Sequence, residues 1–261
     1  MIKPADYKDE EARLEELASF SIMDSLPEED YDYLTGIAAQ ICDTPVALVT
    51  LLDDKRQWFK SIQGLDLEVA ETPKEYSFCA HAIHQPQEIF VVEDSRKDER
   101  FYDNPLVTGA PNIIFYAGMP LVSDNNLPLG TLCVADNKPK QGLSEGQQKA
   151  LKSLARQVMN LMNLRKKQNQ LETALDDLNQ INTHLSRFVT TVLDDTQSPL
   201  IAINRVTKFL ILDKDIQRHS FKSKMVDSLH KSSEELKVML KEFKNQNNSM
   251  DKRVKGENKK G

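Results

Sequence analysis

Two adjacent carboxylates, Asp194 and Asp195, precede Ser198 and Pro199 in a long amphipathic stretch of the chain. A carboxylate can act as a nucleophile and form an acyl phosphate. Two neighbouring negative charges, however, repel an incoming phosphoryl group. Autophosphorylation of a side chain favours histidine instead, because its imidazole is near neutral at working pH. The acidic pair by itself therefore does not predict a centre of autophosphorylation.

Cys79, His81 and His84 form a second group of side chains that could bind a transition metal. They fall in a stretch, Phe78–His84, that is predicted to be a short helix. Their spacing matches no common zinc pattern, and a fourth ligand is not evident. We therefore expect no metal here, with Cys79 facing the core and His81 favoured as a residue that faces a ligand pocket.

The three cysteines, Cys42, Cys79 and Cys133, each lie in an apolar context. A sparse, odd-numbered set of this kind indicates reduced thiols rather than a disulfide framework. Neither Cys79 nor Cys133 has a nearby cation in the sequence that would favour a thiolate. Both are therefore predicted to be buried thiols rather than redox nucleophiles.

Arg100 lies close in sequence to Asp94 and Asp98. These three residues could form a polar cluster at the rim of a pocket, or an ion pair that fixes a loop, and the sequence favours neither interpretation. On a predicted strand nearby, Phe115 and Tyr116 alternate, so that one of them faces the pocket or core and the other faces the opposite side.

The composition indicates a soluble globular protein: of 261 residues, 39% are hydrophobic and 28% are charged. The net charge of −6 gives no argument for nucleic-acid binding. The chain has no apolar run long enough to cross a bilayer, and its charged N-terminus does not resemble a signal peptide. We therefore expect a cytoplasmic protein with neither nucleic acid nor membrane as a partner.

The elements that position these residues change in character near Leu143. Before it, short apolar runs alternate with turn residues, and Glu10–Phe20 and Glu28–Cys42 are predicted to be amphipathic helices, the second with Tyr33, Leu34, Ile37 and Ile41 at helical spacing. Irregular segments are expected at Gly64–Glu75 and Asp103–Asn112. The pattern predicts an α+β fold with an antiparallel sheet of five or six strands, including Val46–Leu52, Arg56–Ile62, Ile89–Val92, Ile113–Val122 and Leu129–Ala135.

After Leu143 the sequence has one long helical pattern. Ser144 and Gln147 have the spacing of a capping box at its start. Apolar residues then recur in a coiled-coil rhythm, with polar Gln168 and Asn182 on the same seam, where they weaken the seam but can fix its register. The seam comprises Leu151, Leu154, Val158, Leu161, Leu164, Gln168, Leu171, Leu175, Leu178, Asn182, Leu185, Val189 and Val192.

Pro199 should kink this helix or remove one of its backbone hydrogen bonds. A turn is predicted at Asp213–Gln217 and a second helix from about His219. Two helices joined by a short loop form an antiparallel hairpin. One hairpin is too thin to bury both of its apolar faces, so we expect it to pair with a second copy as a four-helix core.

The first part of the chain, from about Arg13 to Leu164, resembles the GAF family found at the front of bacterial sensor histidine kinases and cyclic-dinucleotide enzymes. Five ordered blocks carry the resemblance, and Lys74 stands where the subfamily often has an arginine. The blocks are 77–83 (SFCAHAI), 92–101 (VEDSRKDERF), 104–109 (NPLVTG), 115–121 (FYAGMPL) and 129–136 (LGTLCVAD). The resemblance implies a ligand pocket between the sheet and its covering segments, to which we assign Phe78, Cys79, His81, Arg100, Phe101 and Tyr116. It implies no particular ligand, so the expected cofactor is none or an unknown small molecule.

The second part, roughly Gln168–Phe243, resembles the dimerisation and phosphoacceptor hairpin of sensor histidine kinases. The resemblance rests on the block 188–200 (FVTTVLDDTQSPL). In the family a His-Asp pair stands before this Ser-Pro-Leu triplet. Here Asp194 occupies the acceptor position and Asp195 matches the acidic neighbour. An ATP-binding domain follows the hairpin in the family, whereas only a short polar stretch follows Phe243.

The sequence therefore predicts a non-catalytic signal-transduction protein. It forms a homodimer through its coiled coil and hairpin, and a sensor histidine kinase or a response regulator is a possible further partner. The alternative is a phosphotransfer protein that a kinase phosphorylates in trans. The expected segments are an N-terminal helical segment 1–20, a GAF domain 21–164, a coiled-coil signalling helix 165–190, a degenerate hairpin 191–246 and a disordered tail 247–261.

Overall fold

A computed structural model describes residues 1–65, 71–212 and 220–257. The chain divides into two compact units, with the boundary after Gln170. The first unit is built on an antiparallel sheet of six strands in the spatial order β3-β2-β1-β6-β5-β4. The strands are β1 (Val46–Leu52), β2 (Arg56–Gln63), β3 (Glu71–Pro73), β4 (Phe90–Val92), β5 (Phe115–Val122) and β6 (Pro128–Asp136).

The central strands β1 and β6 are buried along their whole length, on both faces of the sheet. Their side chains alternate between the two faces, as the pleat requires. On β1, for example, Ala47, Val49 and Leu51 belong to one core, and Leu48 and Leu52 belong to the other. Each face of the sheet must therefore be covered by other elements of the chain.

Three helices cover the first face. They are α1 (Glu10–Ser19), α2 (Glu29–Cys42) and the beginning of α5 (Glu145–Leu212). The predicted capping box at the start of α5 is confirmed: the Gln147 N–H donates to Ser144 Oγ at 3.3 Å, and the Ser144 N–H donates to Gln147 Oε1 at 2.9 Å. The second face is covered by two short helices, α3 (Phe78–Ala82) and α4 (Pro105–Thr108), and by the irregular segments around them.

The predicted α+β architecture is confirmed. On two helices, however, the buried apolar residues differ from the predicted ones. On α2 the buried face consists of Tyr31, Thr35, Ala38, Ala39 and Cys42. Of the predicted stripe, Leu34 packs against this core, whereas Tyr33, Ile37 and Ile41 are 63%, 42% and 41% exposed. The small residues face the sheet because they allow the helix backbone to approach it closely, which larger side chains would prevent.

On α5 the first residues of the predicted seam belong to the core of the first unit. Leu151 and Val158 are fully buried in the first core, and Leu154 and Leu161 pack against it. The exposed apolar stripe begins only at Leu164, which is 63% exposed. The helix therefore uses its first turns to cover its own domain, because the sheet face would otherwise remain open to water.

The second unit contains the remainder of α5 and the helix α6 (Ser220–Glu257), which pack as an antiparallel hairpin. Lys244 Nζ lies 2.8 Å from Asp194 Oδ1, and Asn204 Nδ2 donates to Glu234 Oε1 at 2.7 Å. α5 continues through Pro199. The predicted turn Asp213–Gln217 lies outside the described residues.

At the N-terminus, the predicted helix Glu10–Phe20 is found as α1 (Glu10–Ser19), and residues 1–9 precede it without regular secondary structure. At the other end, α6 extends through Glu257 into the predicted disordered tail. No helix in the described ranges has both the length and the apolar character needed to cross a membrane.

The close approach of β1 to β6 gives a test of the fold. A Cβ at Gly130 would stand 1.9 Å from Thr50 O, whereas a Cβ at Gly36, on α2, meets no atom within 4 Å. Gly130→Ala should therefore destabilise the first unit by about 3 kcal/mol or more. The control Gly36→Ala should stabilise it by about 0.5–1 kcal/mol. Urea denaturation followed by the fluorescence of Trp58, the one tryptophan, measures both. A Gly130→Ala variant as stable as the wild type would contradict this strand pairing.

Candidate functional site

A small cavity of about 50 Å³ lies on the second face of the sheet. Typical small-molecule sites enclose roughly 300–1,000 Å³, so this cavity has room for only a few water-sized molecules. Its wall is mainly aliphatic and aromatic, and two thiols form part of it. The lining residues are Leu48, Gln57, Phe59, Leu65, Thr72, Phe78, Cys79, Leu106, Pro111, Ile113, Tyr116, Cys133 and Ala135.

The two thiols of the cavity wall face each other. Cys79 Sγ on α3 lies 4.0 Å from Cys133 Sγ on β6, and both residues are about 1% exposed. Two hydroxyl groups donate to Cys79 Sγ, from Thr131 at 3.0 Å and from Tyr116 at 3.2 Å. Thr131 Oγ1 also lies 3.2 Å from Thr50 Oγ1 on the adjacent strand. Cys79 is therefore the acceptor at the centre of a buried polar cluster.

In this cluster the pKa of one thiol is lowered and the pKa of the other is raised. Burial raises the pKa of Cys79, but the hydrogen bonds from Cys133, Thr131, Thr50 and Tyr116 outweigh burial and bring the pKa below its ordinary value. The pKa of Cys133 is raised, first because its thiol is hydrogen-bonded to Cys79 and then because it is buried. A proton shared between two thiols leaves one of them more readily ionised. That thiol is Cys79.

Capping residues hold the helix that carries Cys79. Ser77 caps α3, because its Oγ accepts the Ala80 N–H at 3.0 Å, and the same hydroxyl donates to Gln57 Oε1 on β2. Asn104 caps α4 in the same way through the Leu106 N–H, and its Nδ2 donates to Tyr76 O at 3.0 Å. Side-chain caps of this kind satisfy backbone groups that would otherwise be left without a partner. The first cap joins α3 to β2, and the second joins α4 to the segment before α3.

The six residues assigned to the pocket by sequence do lie in one network. The Phe78 ring stacks on Phe101 with the ring centroids 4.0 Å apart, and it lies 5.2 Å from Tyr116. His81 meets Phe101 edge-on at 4.9 Å, and the Arg100 guanidinium lies 5.3 Å from the same ring. Phe78, Cys79 and Tyr116 line the cavity, whereas His81, Arg100 and Phe101 do not.

The structure decides between the two interpretations of Arg100. Its guanidinium donates twice to Asp98, from Nε at 2.8 Å and from Nη2 at 2.6 Å. Asp94 pairs instead with Arg96, at 2.8 Å. Arg100 is thus part of a structural ion pair that fixes its loop.

Cys79, His81 and His84 have separate neighbours. Cys79 faces the thiol cluster, His81 faces Phe101, and His84 Nε2 lies 3.1 Å from Ala5 O. In the ranges that the structure describes, no group of three or more histidine, cysteine or acidic residues could hold a metal ion.

Sequence reasoning included Tyr116 in the site but missed the two threonine hydroxyl groups near Cys79. Thr50 and Thr131 are directly opposite each other in the pairing of β1 with β6. Thr131 and Cys133 share a face of β6, because they are two residues apart. Strand alternation could have placed these two residues together, but the approach of α3 to that face depends on tertiary packing.

In the second unit, Asp194 is an exposed residue that forms an ion pair with Lys244. The neighbouring helix turns have a buried polar layer instead of a purely apolar one. Asn204 pairs with Glu234, and Thr207 Oγ1 lies 3.0 Å from His230 Nδ1. Asn204 and Thr207 are both buried.

Comparison with known proteins identifies the first unit. The model of the GAF domain family matches residues 27–162. A cyclic di-GMP phosphodiesterase of Pseudomonas aeruginosa is 39% identical over 159 residues, which are 61% of this chain and 27% of that relative. The chain thus spans about a quarter of the length of this relative.

Solved structures of similar architecture include the GAF domain of an Acinetobacter phosphoenolpyruvate-protein phosphotransferase. It is 20% identical, with a TM-score of 0.44, and the match covers 63% of this chain and 99% of that one. A domain of a two-component sensor histidine kinase protein from Sinorhizobium meliloti is 17% identical, with a TM-score of 0.43. That match covers 57% of this chain and 98% of the other.

His81 provides a pH-dependent test of this site. Burial and then the charge of Arg100 lower the pKa of His81 to about 4. Below pH 6.5 the unfolded chain takes up a proton that the folded chain does not, so stability falls as the pH falls towards 4. Between pH 7.5 and pH 5, this should cost about 1 kcal/mol after a discount for the partial exposure of the ring. His81→Gln should lack this loss.

The measurement is urea denaturation of the wild type and the variant at both pH values. His184→Gln removes an exposed imidazole and serves as the matched control. Equal losses in the wild type and in His81→Gln would show that His81 does not contribute to acid sensitivity.

Proposed function

The chain belongs to the GAF domain family, and from this premise we propose that it is a non-catalytic signalling protein. In this proposal the GAF domain is the sensor, and the helices that follow it dimerise and pass on the signal. The observation that carries the proposal is the change in the environment of α5 at Leu164. One helix supplies buried core residues to the sensor and then an exposed apolar seam.

The seam has the repeat of a coiled coil. From Leu164 to Val192 its positions recur at alternating intervals of four and three residues over four heptads. Such a long repeat favours pairing with a second helix, because an unpaired helix would leave these apolar side chains in water. Five of its apolar members, Leu164, Leu171, Leu175, Leu178 and Leu185, are between 52% and 65% exposed.

The polar members of the seam support a pairing with a second copy of the same chain. Asn182 occupies an a position of the heptad. A single asparagine at such a position is a known determinant of register and of the two-stranded state, because two copies can hydrogen-bond to each other across the interface. The identical helix of a second copy provides this partner in register.

The hairpin offers a further apolar surface to the same partner. Both of its helices retain large hydrophobic side chains that are more than 40% exposed. Two hairpins that pack together would bury these faces in a four-helix core. The residues concerned are Ile201, Ile203, Val206, Phe209, Met225, Leu229, Leu236, Val238, Met239 and Phe243.

In the first unit, the exposed stripe of α2 favours the same arrangement. Gln147 Nε2 donates to Ile41 O at 3.1 Å, and Arg165 Nη1 donates to Glu28 Oε1 at 2.6 Å. These bonds hold α2 alongside α5. Tyr33 and Ile37 therefore form an apolar surface next to α5, which a second sensor domain could cover.

A charge in the seam tests the dimer. Leu178→Asp places a carboxylate at a d position, where it would be buried against its copy, so the variant should be a monomer at micromolar concentration. Gln180→Asp introduces the same charge two residues away, at an outer position of the heptad, and should remain a dimer. Size-exclusion chromatography with light scattering measures both. A monomeric wild type would refute the proposed dimer.

We propose that the chain does not phosphorylate itself, because Asp194 occupies the acceptor position. A carboxylate paired with Lys244 replaces the imidazole at the acceptor position that the resemblance to histidine kinases implies. The name of the Pseudomonas relative reports phosphodiesterase activity, but this chain matches only 27% of that protein. We propose that the shared stretch has a sensory role, and that a sensor histidine kinase or response regulator is the further partner.

Labelling with γ-phosphate-labelled ATP tests this part of the proposal. The purified chain should acquire no label by itself, and self-labelling would contradict the non-catalytic role. Incubation with an active sensor kinase tests the alternative of phosphorylation in trans. Label that appears in the wild type and is lost in Asp194→Asn, but not in Asp176→Asn, would favour the phosphotransfer alternative.

A further inference from the structure

Cys79 and Cys133 lie at the distance of a reactive pair. Their sulfur atoms are 4.0 Å apart, and a disulfide requires about 2.05 Å. The sulfurs must therefore approach each other by about 2 Å. One of them lies on a five-residue helix set between irregular segments, where a shift of this size needs no break in the sheet.

Cys79 also has the surroundings of a nucleophilic thiol. The thiolate is the reactive form of cysteine. The Thr131 and Tyr116 hydroxyl groups donate to Cys79 Sγ and stabilise a negative charge there. These donors are uncharged, which explains why a search of the sequence for neighbouring cations does not find them.

The cavity restricts the molecules that can reach the pair. Both cysteines line it, and its volume of about 50 Å³ excludes bulky oxidants such as glutathione disulfide. Hydrogen peroxide is only slightly larger than water, and it is neutral, as the mainly apolar wall of the cavity favours. Leu65, Pro111, Ile113 and Ala135 also line a neighbouring surface pocket of about 130 Å³, so the cavity and this pocket share part of their walls.

We propose that Cys79 and Cys133 are a peroxide-oxidised pair, so that the proposed sensor domain responds to hydrogen peroxide. This inference rests on the proposed function for its role in signalling. The chemistry itself depends only on the geometry of the two thiols and the cavity.

The reaction proceeds in two balanced steps. The Cys79 thiolate attacks one peroxide oxygen, the O–O bond breaks, and Cys79 sulfenic acid and hydroxide form. Hydroxide takes a proton and becomes water. The Cys133 sulfur then attacks Cys79 Sγ, the S–O bond breaks, and the thiol proton leaves with the hydroxyl group as a second water. Two thiols are oxidised to one disulfide, and one peroxide is reduced to two waters.

Disulfide formation changes the cavity wall and the helix above it. Cys79 and Phe78 are adjacent on α3, and the Phe78 ring stacks on Phe101 and Tyr116. A shift of α3 by about 2 Å disturbs this stack. The Thr131 and Tyr116 hydroxyl groups also lose their anionic acceptor.

The test treats the reduced full-length chain with a small excess of hydrogen peroxide. Intact mass should fall by two hydrogens, and peptide mapping without reductant should show a Cys79–Cys133 link that dithiothreitol reverses. Cys133→Ser should stop at Cys79 sulfenic acid, which dimedone traps. Cys79→Ser should not react, and circular dichroism should show that it is folded.

Cys42→Ser is the matched control, because Cys42 is also buried but burial raises its pKa to about 11. This variant should form the same disulfide at the wild-type rate. Thiols that remain reduced in the folded protein, or a product that contains Cys42, would overturn the inference. Light scattering of the same samples separates the two proposals. A dimer that is not oxidised would refute only the peroxide response. A monomer that forms the disulfide would refute only the proposed dimer.

Discussion

The antiparallel pairing of β1 with β6 places two fully buried strands at the centre of the first unit. Because both faces of these strands must be kept from water, the chain has to provide two separate covers. Regular helices can pack closely on one face. The other face is covered by short helices and irregular segments, which need side-chain caps such as Ser77 and Asn104 to satisfy their backbone. The less regular cover leaves the small cavity, and β6 and α3 bring the two thiols to its wall.

The charged side chains near this cover pair with one another, and none of them lines the cavity. Glu10 accepts from Arg13 and from Lys74, the latter at 2.6 Å, and Arg13 also donates to Leu52 O at 2.7 Å. Burial raises the pKa of Glu10, but these hydrogen bonds outweigh it and lower the pKa to about 2. Lys74 stands where the resemblance allows an anion-binding arginine, yet here it joins α1 to the segment before α3. With its neighbouring cations held in ion pairs, the cavity favours a neutral molecule over an anionic one.

Much of the fold could be predicted because β-branched runs such as Val46–Leu52 have one stable environment, a buried strand. The short strand Glu71–Pro73 was not predictable, because it has no apolar run and depends on pairing with β2. Apolar periodicity also could not show which partner covers a stripe. On α2 three of the four residues that it identified remain exposed and only Leu34 packs against the core, and on α5 it could not separate core positions such as Val158 from the seam that begins at Leu164. The sequence motifs allowed the six pocket residues to be assigned to one site. The hydrogen-bond partners of Cys79 could not be assigned in this way, because they come from three strands, β1, β5 and β6.

The two faces of the sheet are separated by a single layer of strands, and this offers a route from the cavity to the long helix. Cys133 and Tyr116 face the cavity, whereas their strand neighbours Leu132, Val134 and Phe115 belong to the core that contains Leu151 and Val158 of α5. A disulfide would tie α3 to Cys133 and pull on β6 even though α3 makes most of the approach, because the interior is close-packed. A change at the thiol pair would therefore reach the buried turns of α5 through the backbone of β6. Since those turns and the exposed seam are parts of one helix, a small rotation of the first would change which residues the second presents to the proposed second copy.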